Sequence, residues 1–422
     1  MSDLADRHQL RLLKQGPRIW NAWREKHPEI PVNLSGANLD RNKLDGANFS
    51  LANLVGADLR TAQLSNANLS GANLYQVNFS EANLHQANLS GANLRQTIFF
   101  RANLSQADLR FVNLSWADMR EVDLSGAVLI EAVLYRADLY QCDLRQADLR
   151  SAKLFGANLN QGNLSEANLS QVDCNVVLFN EANLAYANLK GASLRGGSFI
   201  QANLKGANLQ QAILQGATLR GAIIKDADLR GVNFDGLSLN GLDLSGVDLR
   251  GADLRGVLLH EFQLRGAKLN GINLSGMNLS GIDLSSLDLS EALLHAANLY
   301  QAKLSGTHLC KADLSEVSLP NADLHQAILT EANLREADLR EADLQESDLS
   351  GACLSGCNLR KANLRGANLY GADLYLANLT KADLRDTNLS HADLRGSLYS
   401  KACLDGADIT EAVLAEHPGK LS

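Results

Sequence analysis

From Leu34 to Leu414 every fifth residue is large and apolar, with no break in phase. Leu fills 66 of these 77 positions, and most of the others are Phe, as at Phe49, Phe79 and Phe99. Two residues earlier stands a second regular position, Ala in 50 of the 77, and between the two lies Asn or Asp in 52. The unit reads Ala-(Asn/Asp)-Leu-x-x, as in Ala37-Asn38-Leu39 and Ala372-Asp373-Leu374. A five-residue period fits neither a 3.6-residue helix nor a long strand of period two. Apolar residues flanking a polar one predict a short strand that turns both apolar side chains the same way, leaving two residues to make a corner. Gly is frequent at the last of these (Gly36, Gly46, Gly56, Gly71, Gly91), where a positive φ costs it least. Strand plus corner, repeated, makes a coil with Ala and Leu inward. Such coils bury their Leu column only by stacking on one another, about 4.8 Å apart.

The ends break this pattern. Residues 3–15 predict a helix with Leu4, Leu12 and Leu13 apolar, ended by Gly16, and Pro17 starts a second in which Ile19, Trp20 and Trp23 share a side. That side is expected to lie over the first coil and hide its raw strand edges, with a docking role for another protein as the alternative. The chain thus divides into an N-terminal helical cap (1–31), the repeat (32–414) and a C-terminal tail (415–422). The tail, with Pro418 and Gly419, is too short to cover the last coils, so Leu398, Tyr399, Val413 and Leu414 are expected to meet a second molecule.

In its Ala-(Asn/Asp)-Leu-x-x run over 32–414 the chain resembles the pentapeptide-repeat proteins. The resemblance implies an all-β fold, a right-handed quadrilateral parallel β-helix with four pentapeptides per coil, about 19 coils in all, behind a small N-terminal α-helical cap. The lead-in from Ile19-Trp20-Asn21-Ala22-Trp23-Arg24 through His27-Pro28-Glu29-Ile30 resembles that of cyanobacterial members. End-to-end dimers in the family imply a homodimer through the C-terminal coils.

The net charge of −8 argues against a nucleic-acid binder that works through a basic surface. No apolar run approaches a membrane span, and the first sixteen residues lack the apolar stretch of a signal peptide. Six Cys are too few for a disulfide scaffold of this length, which fits the cytoplasm. A column filled with Leu and Ala leaves no room for a cofactor. Asn42, where Ala is expected, is read as bonded to a neighbouring backbone group. Between Val232 and Leu287 the small position swells (Leu237, Leu242, Val257, Phe262, Met277, Ile282), which predicts a wider core or a bend, with a hinge as the alternative. The Asn and Asp between the inward pair occur everywhere, so they read as Asx turns rather than catalytic carboxylates. The nine His are scattered, and His308 and His325 lack a third ligand. Cys142, Cys174 and Cys357 fall at inward positions, and Cys353 faces away from Cys357. No zinc signature, phosphate loop, nucleophile elbow or His-Glu-x-x-His helix is present, so neither an enzyme nor a cofactor or metal is expected.

The outer positions carry more information. Glu331, Glu336, Glu341 and Glu346, interleaved with Arg335 and Arg340, read as a salt-bridged belt, with an acidic collar for a basic partner as the alternative. Ile98, Phe100, Phe111, Trp116, Val133, Tyr135, Tyr140 and Phe155 fall within about three coils and are read as a partner-binding patch. Scattered surface hydrophobes, or cover by the N-terminal helices, are the alternatives. The function expected is a non-enzymatic cytoplasmic scaffold that presents surface patches to protein partners, without membrane or direct nucleic-acid binding. A second reading is a DNA mimic resembling the family members that bind DNA gyrase. This chain is about twice as long as those, and carries Arg95, Arg110, Arg120, Arg145, Arg150, Arg230 and Arg250 at the position after the inward Leu or Met. An enzyme or small-ligand binder is the third, and no convergent polar cluster supports it.

Overall fold

The computed structural model describes residues 5–234, 237, 242–244, 246–255 and 266–414. They fall into two compact units, Met1–Asp228 and Leu229–Ser422. Within each, the chain returns to the same place every twenty residues. Parallel bridges run Asn38 to Asp58 to Asn78 in the first unit and Asp313 to Asn333 to Cys353 in the second. Each unit is therefore a β-helix solenoid, one turn of which takes four pentapeptides. The N–H of a Leu position donates to the middle residue of the next turn (Leu59 to the Asn78 carbonyl, 2.8 Å). The middle residue donates back to the small residue of the turn before (Asn78 to the Ala57 carbonyl, 3.1 Å). The expected strands shrink to single bridged residues, because two of every five residues must turn the corner.

At each corner the Ala N–H closes back on the preceding Leu carbonyl (Ala57 to Leu54, 2.9 Å), and the residue before Ala takes a positive φ. Gly56 does so at 65°, but so do Gln86 at 56°, Val176 at 57° and Tyr186 at 60°. Each such L-residue costs on the order of 1 kcal/mol. Stacking returns part of that, since corner side chains one turn apart bond each other. Gln86 Nε2 donates to Gln106 Oε1 at 2.8 Å, and Gln141 Nε2 to Gln161 Oε1 at 2.9 Å.

Up to about residue 399 the inward columns are almost wholly buried, each Leu contributing about 2 kcal/mol, while Ile409 and Leu414 in the last turns are exposed. Phe79 stacks on Phe99 and Phe179 on Phe199, with ring centres 5.0 and 5.2 Å apart. The middle Asn and Asp accept the N–H two residues on, as in Ser70 to Asn68 Oδ1 and Arg110 to Asp108 Oδ1, both 3.1 Å, so they are structural Asx bonds. Asn42 Nδ2 donates to the Asp40 carbonyl at 2.9 Å. In the swollen segment Leu237, Leu242 and Met277 are buried, but Ile282 and Leu287 are only half-buried. Val257 and Phe262 lie outside the described residues.

Two helices precede the repeat, α1 (Arg7–Lys14) and α2 (Pro17–Lys26). Asp6 caps α1 by accepting the His8 and Gln9 amides, and Gly16, at φ 107°, makes the break. Trp20 is fully buried against Phe49, ring centres 5.8 Å apart, and Trp23 packs on Trp20. Ile19 does not join them: it is 45% exposed, one helical step (about 100°) away from Trp20. Leu12 is half-buried beside buried Leu13, while Leu4 and the tail 415–422 lie outside the described residues. Among the described residues no helix is long and apolar enough to cross a membrane.

Candidate interaction surface

Because residues twenty apart share a column, the outer surface of a unit sorts into strips. Strip A holds residues 33–36 and their equivalents every twenty residues, and strip B holds 38–41 and theirs. Val133 bridges Asn113 and Lys153 on strip A, and Tyr135 and Phe155 follow one another there in successive turns. Trp116 stands at the corner between the strips with φ 63° and is 53% exposed. The Arg136 guanidinium lies 4.9 Å from its ring centre. Ile98, Phe100 and Tyr140 are on strip B, around the corner from these. Phe100 has Arg101 and Arg120 within 4.8 and 5.4 Å of its ring centre, and the Tyr140 hydroxyl donates to Gln161 at 2.7 Å. Phe111 occupies the corner at the opposite edge of strip A.

The eight residues are thus not one continuous exposed patch. Trp116, Tyr135 and Phe155 form its exposed centre with half-buried Val133, whereas Phe100 and Tyr140 are half-buried on the neighbouring strip. A side chain of the next turn or of the adjoining corner covers each of these two.

Charges on the strips divide in a way that aromatic positions alone do not disclose. On strip B the sequence Asp-x-Arg closes on itself: Arg120 holds Asp118 through two bonds of 2.8 and 2.7 Å. Arg110 and Asp108, and Arg150 and Asp148, do the same on another strip. The guanidinium bonds hold the carboxyls of Asp108 and Asp118 below the usual carboxylate range. Strip A lacks the pairing. Asn93 precedes Arg95 and Ser193 precedes Arg195, Lys153 is itself at the middle position, and Arg136 is at a corner. None of these four cations stands in an ion pair among the described residues. The lone acid of strip A between residues 33 and 216 is Asp173, which accepts the Asn175 amide and side chain. Counting charges by twenties along the sequence would have found this.

Three of the four corner acids of the belt, Glu331, Glu341 and Glu346, find partners one turn away. Glu331 meets Lys311 at 3.7 Å and Glu341 meets Lys361 at 2.7 Å, and Glu346 accepts from Gln326. Arg340 pairs instead with Asp338, and Arg335 Nε donates to Cys353 Sγ at 3.0 Å, so the belt is not closed by the arginines beside it. Cys142, Cys174 and Cys357 are buried, which pushes their thiol pKa up, and Cys353 is half-exposed. Among the described residues no three His, Cys, Asp or Glu could hold a metal ion, His308 and His325 included. His260 and His417 lie outside those residues. At the C-terminal end Leu384, Leu389, Leu394, Leu404, Ile409 and Leu414 surround an apolar opening. Leu398 is 61% exposed and Val413 and Leu414 are exposed to a lesser degree, while Tyr399 turns inward and is buried.

The sequence profile of a family described as pentapeptide repeats (8 copies) matches this chain in segments from 33–71 through 377–414. Among solved structures, the chain is 31% identical to HetL, a pentapeptide repeat protein involved in heterocyst differentiation regulation, from the cyanobacterium Nostoc sp. strain PCC 7120. That match covers 64% of this chain and 88% of HetL, with a TM-score of 0.18. A pentapeptide repeat protein of the Arabidopsis thaliana thylakoid lumen is 34% identical over 28% of this chain and 68% of its own, TM-score 0.21. QnrB1, a plasmid-mediated fluoroquinolone resistance protein, is 19% identical over 55% of this chain and 91% of its own, TM-score 0.26. A comparison with curated proteins returned no match.

Proposed function

The chain belongs to the pentapeptide-repeat family, and from that premise we propose that it is a non-enzymatic scaffold presenting surface patches to protein partners in the cytoplasm. On this reading the solenoid is right-handed and four-sided, with about 19 coils. One observation carries the proposal: Trp116, Tyr135 and Phe155 stand exposed in adjoining columns outside a core closed by Leu and Ala. Large aromatics exposed together have a use when another surface covers them. The six unpaired cysteines support the reducing compartment. The open apolar end around Ile409 and Leu414 supports a homodimer joined end to end. The involvement of HetL in regulating differentiation accords with a role of this kind. The duplex-mimic reading gains nothing from strip A of the first unit, where cations outnumber acids.

The test is capture of partners from the source lysate on wild type beside a variant with Phe100, Trp116, Tyr135 and Phe155 all changed to Ser. A partner kept by the wild type and lost by the variant is the expected result. Identical proteins on both would overturn the patch, and inhibition of gyrase supercoiling by purified protein would favour the mimic.

A further inference from the structure

We infer that strip A of the first unit docks an acidic segment of a partner protein, whose carboxylates meet Arg95, Arg136, Lys153 and Arg195 while its apolar side chains cover Trp116, Tyr135 and Phe155. The inference rests on the scaffold reading and adds the chemistry of the partner.

Strip A carries positive charge that its own surroundings leave unanswered. The chain as a whole carries −8, and its arginines are commonly neutralised locally, as in Asp118-Met119-Arg120, where Arg follows Asp by two residues and pairs with it. Strip A departs from that: between residues 33 and 216 it carries four cations against one acid, and those cations form no ion pair within the described residues. The nearest corner acid at its far edge, Glu131, belongs to the preceding strip. The aromatics lie among these cations rather than apart from them. Arg136 rests on Trp116, and Lys153 stands two residues before Phe155. From Arg95 to Arg195 is five turns, about 24 Å at strand spacing, the reach of roughly seven residues of extended chain. A short acidic segment with interspersed apolar side chains matches that length, sign and composition.

A single-stranded nucleic acid would also meet cations and aromatics. Four cations on a protein of net negative charge are a poor match for a chain of phosphates, whose affinity comes from many such contacts. One side of the Trp116 ring is moreover already taken by Arg136, which removes half of the platform for a base.

The experiment selects random dodecapeptides displayed on phage against the full chain. It then measures the winners on wild type, on a charge variant (Arg95→Ser, Arg136→Ser, Lys153→Ser, Arg195→Ser) and on an aromatic variant (Trp116→Ser, Tyr135→Ser, Phe155→Ser). Every substituted side chain points outward, and thermal melting checks that both variants fold. The expected winners mix Asp or Glu with aromatic or Leu residues. They bind the charge variant at least about tenfold more weakly, and weaken as NaCl rises from about 50 to 500 mM. Winners without acids, or winners that keep full affinity for the charge variant, would overturn the acidic partner. If the aromatic variant still loses them, the scaffold reading survives. Winners indifferent to both variants, or none at all, would overturn both. Tighter binding of a twenty-residue oligo(dT), lost in the charge variant, would replace the peptide by a nucleic acid.

Discussion

The indole N–H of Trp20 donates to the Asn48 carbonyl at 2.8 Å, the bond that a preceding turn would supply if there were one. Elsewhere a Leu-position amide of the turn before fills that role, as Leu39 does for Asp58. The other edge groups are met in the same manner: Asn21 Oδ1 accepts the Asn48 amide, Gln9 Oε1 the Asn33 amide, and Arg24 donates to the Ser50 carbonyl. The helices thus imitate a missing turn with side chains. Trp20→Ala should cost about 3–5 kcal/mol, through the lost buried ring and the bared edge. Thermal melting should show that loss, and gel filtration should show concentration-dependent association through the exposed edge. Trp20→Phe should recover the ring packing but not the hydrogen bond, and fall between.

The solenoid was legible because its signal is a period, and a five-residue period leaves few alternatives. The corners were half legible. Gly56 announces a positive φ, whereas Gln86 and Tyr186 adopt the same conformation with no mark of it in their residue type, since the stacked turns on either side impose it. Relations twenty residues apart were the ones missed. Glu331 pairs with Lys311 and Glu341 with Lys361, not with the arginines adjacent in sequence. The aromatics stand out by residue type, whereas the unpaired cations of strip A look like any others until the ion pairs of the other strips are in view.

The corner conformation gives a second test. Gly91 has φ 67° and open space where a Cβ would go, so Gly91→Ala should cost only the left-handed backbone, about 1 kcal/mol. Gly206 has a similar φ, but a Cβ there would come within 2.6 Å of the Tyr186 ring one turn back. Gly206→Ala should cost about 1 kcal/mol more, because the exposed ring must swing aside. In the Tyr186→Ala background the two glycines should behave alike, a double-mutant cycle that urea denaturation can read.

Acid should act through the Asp-x-Arg pairs. Hydrogen bonds from Arg110 and Arg120 hold Asp108 and Asp118 below their ordinary value, so the folded pKa lies under the unfolded one near 3.9. Such a group lends stability that is present above the unfolded pKa and lost as pH falls through the folded one. Stability in urea should therefore stay level from about pH 7 to 5 and decline below about pH 4. Arg110→Gln with Arg120→Gln should shallow that decline. The change should be modest and shrink in salt, because both arginines are about half exposed. An unchanged decline would place the acid sensitivity elsewhere.

Leu209 tests how far damage to the core travels. Its side chain is 2% exposed, and its amide donates to the Asp228 carbonyl at 2.7 Å. Leu209→Asp places a carboxylate among Leu and Ala with no cation to meet it, a cost of about 3–5 kcal/mol that protonation or local opening must relieve. In a solenoid each turn leans on its neighbours alone, so the opening should remain near the substituted turn. Hydrogen exchange should then quicken at the amides of Leu189 and Leu209, which bond across that turn, and stay slow at Leu39 and Leu59 near the helices. Proteolysis should cut first around residues 205–215 for the same reason. Equal loss of protection at Leu39 would show instead that the first unit opens as one body, and full protection at Leu209 would place its side chain outside the core.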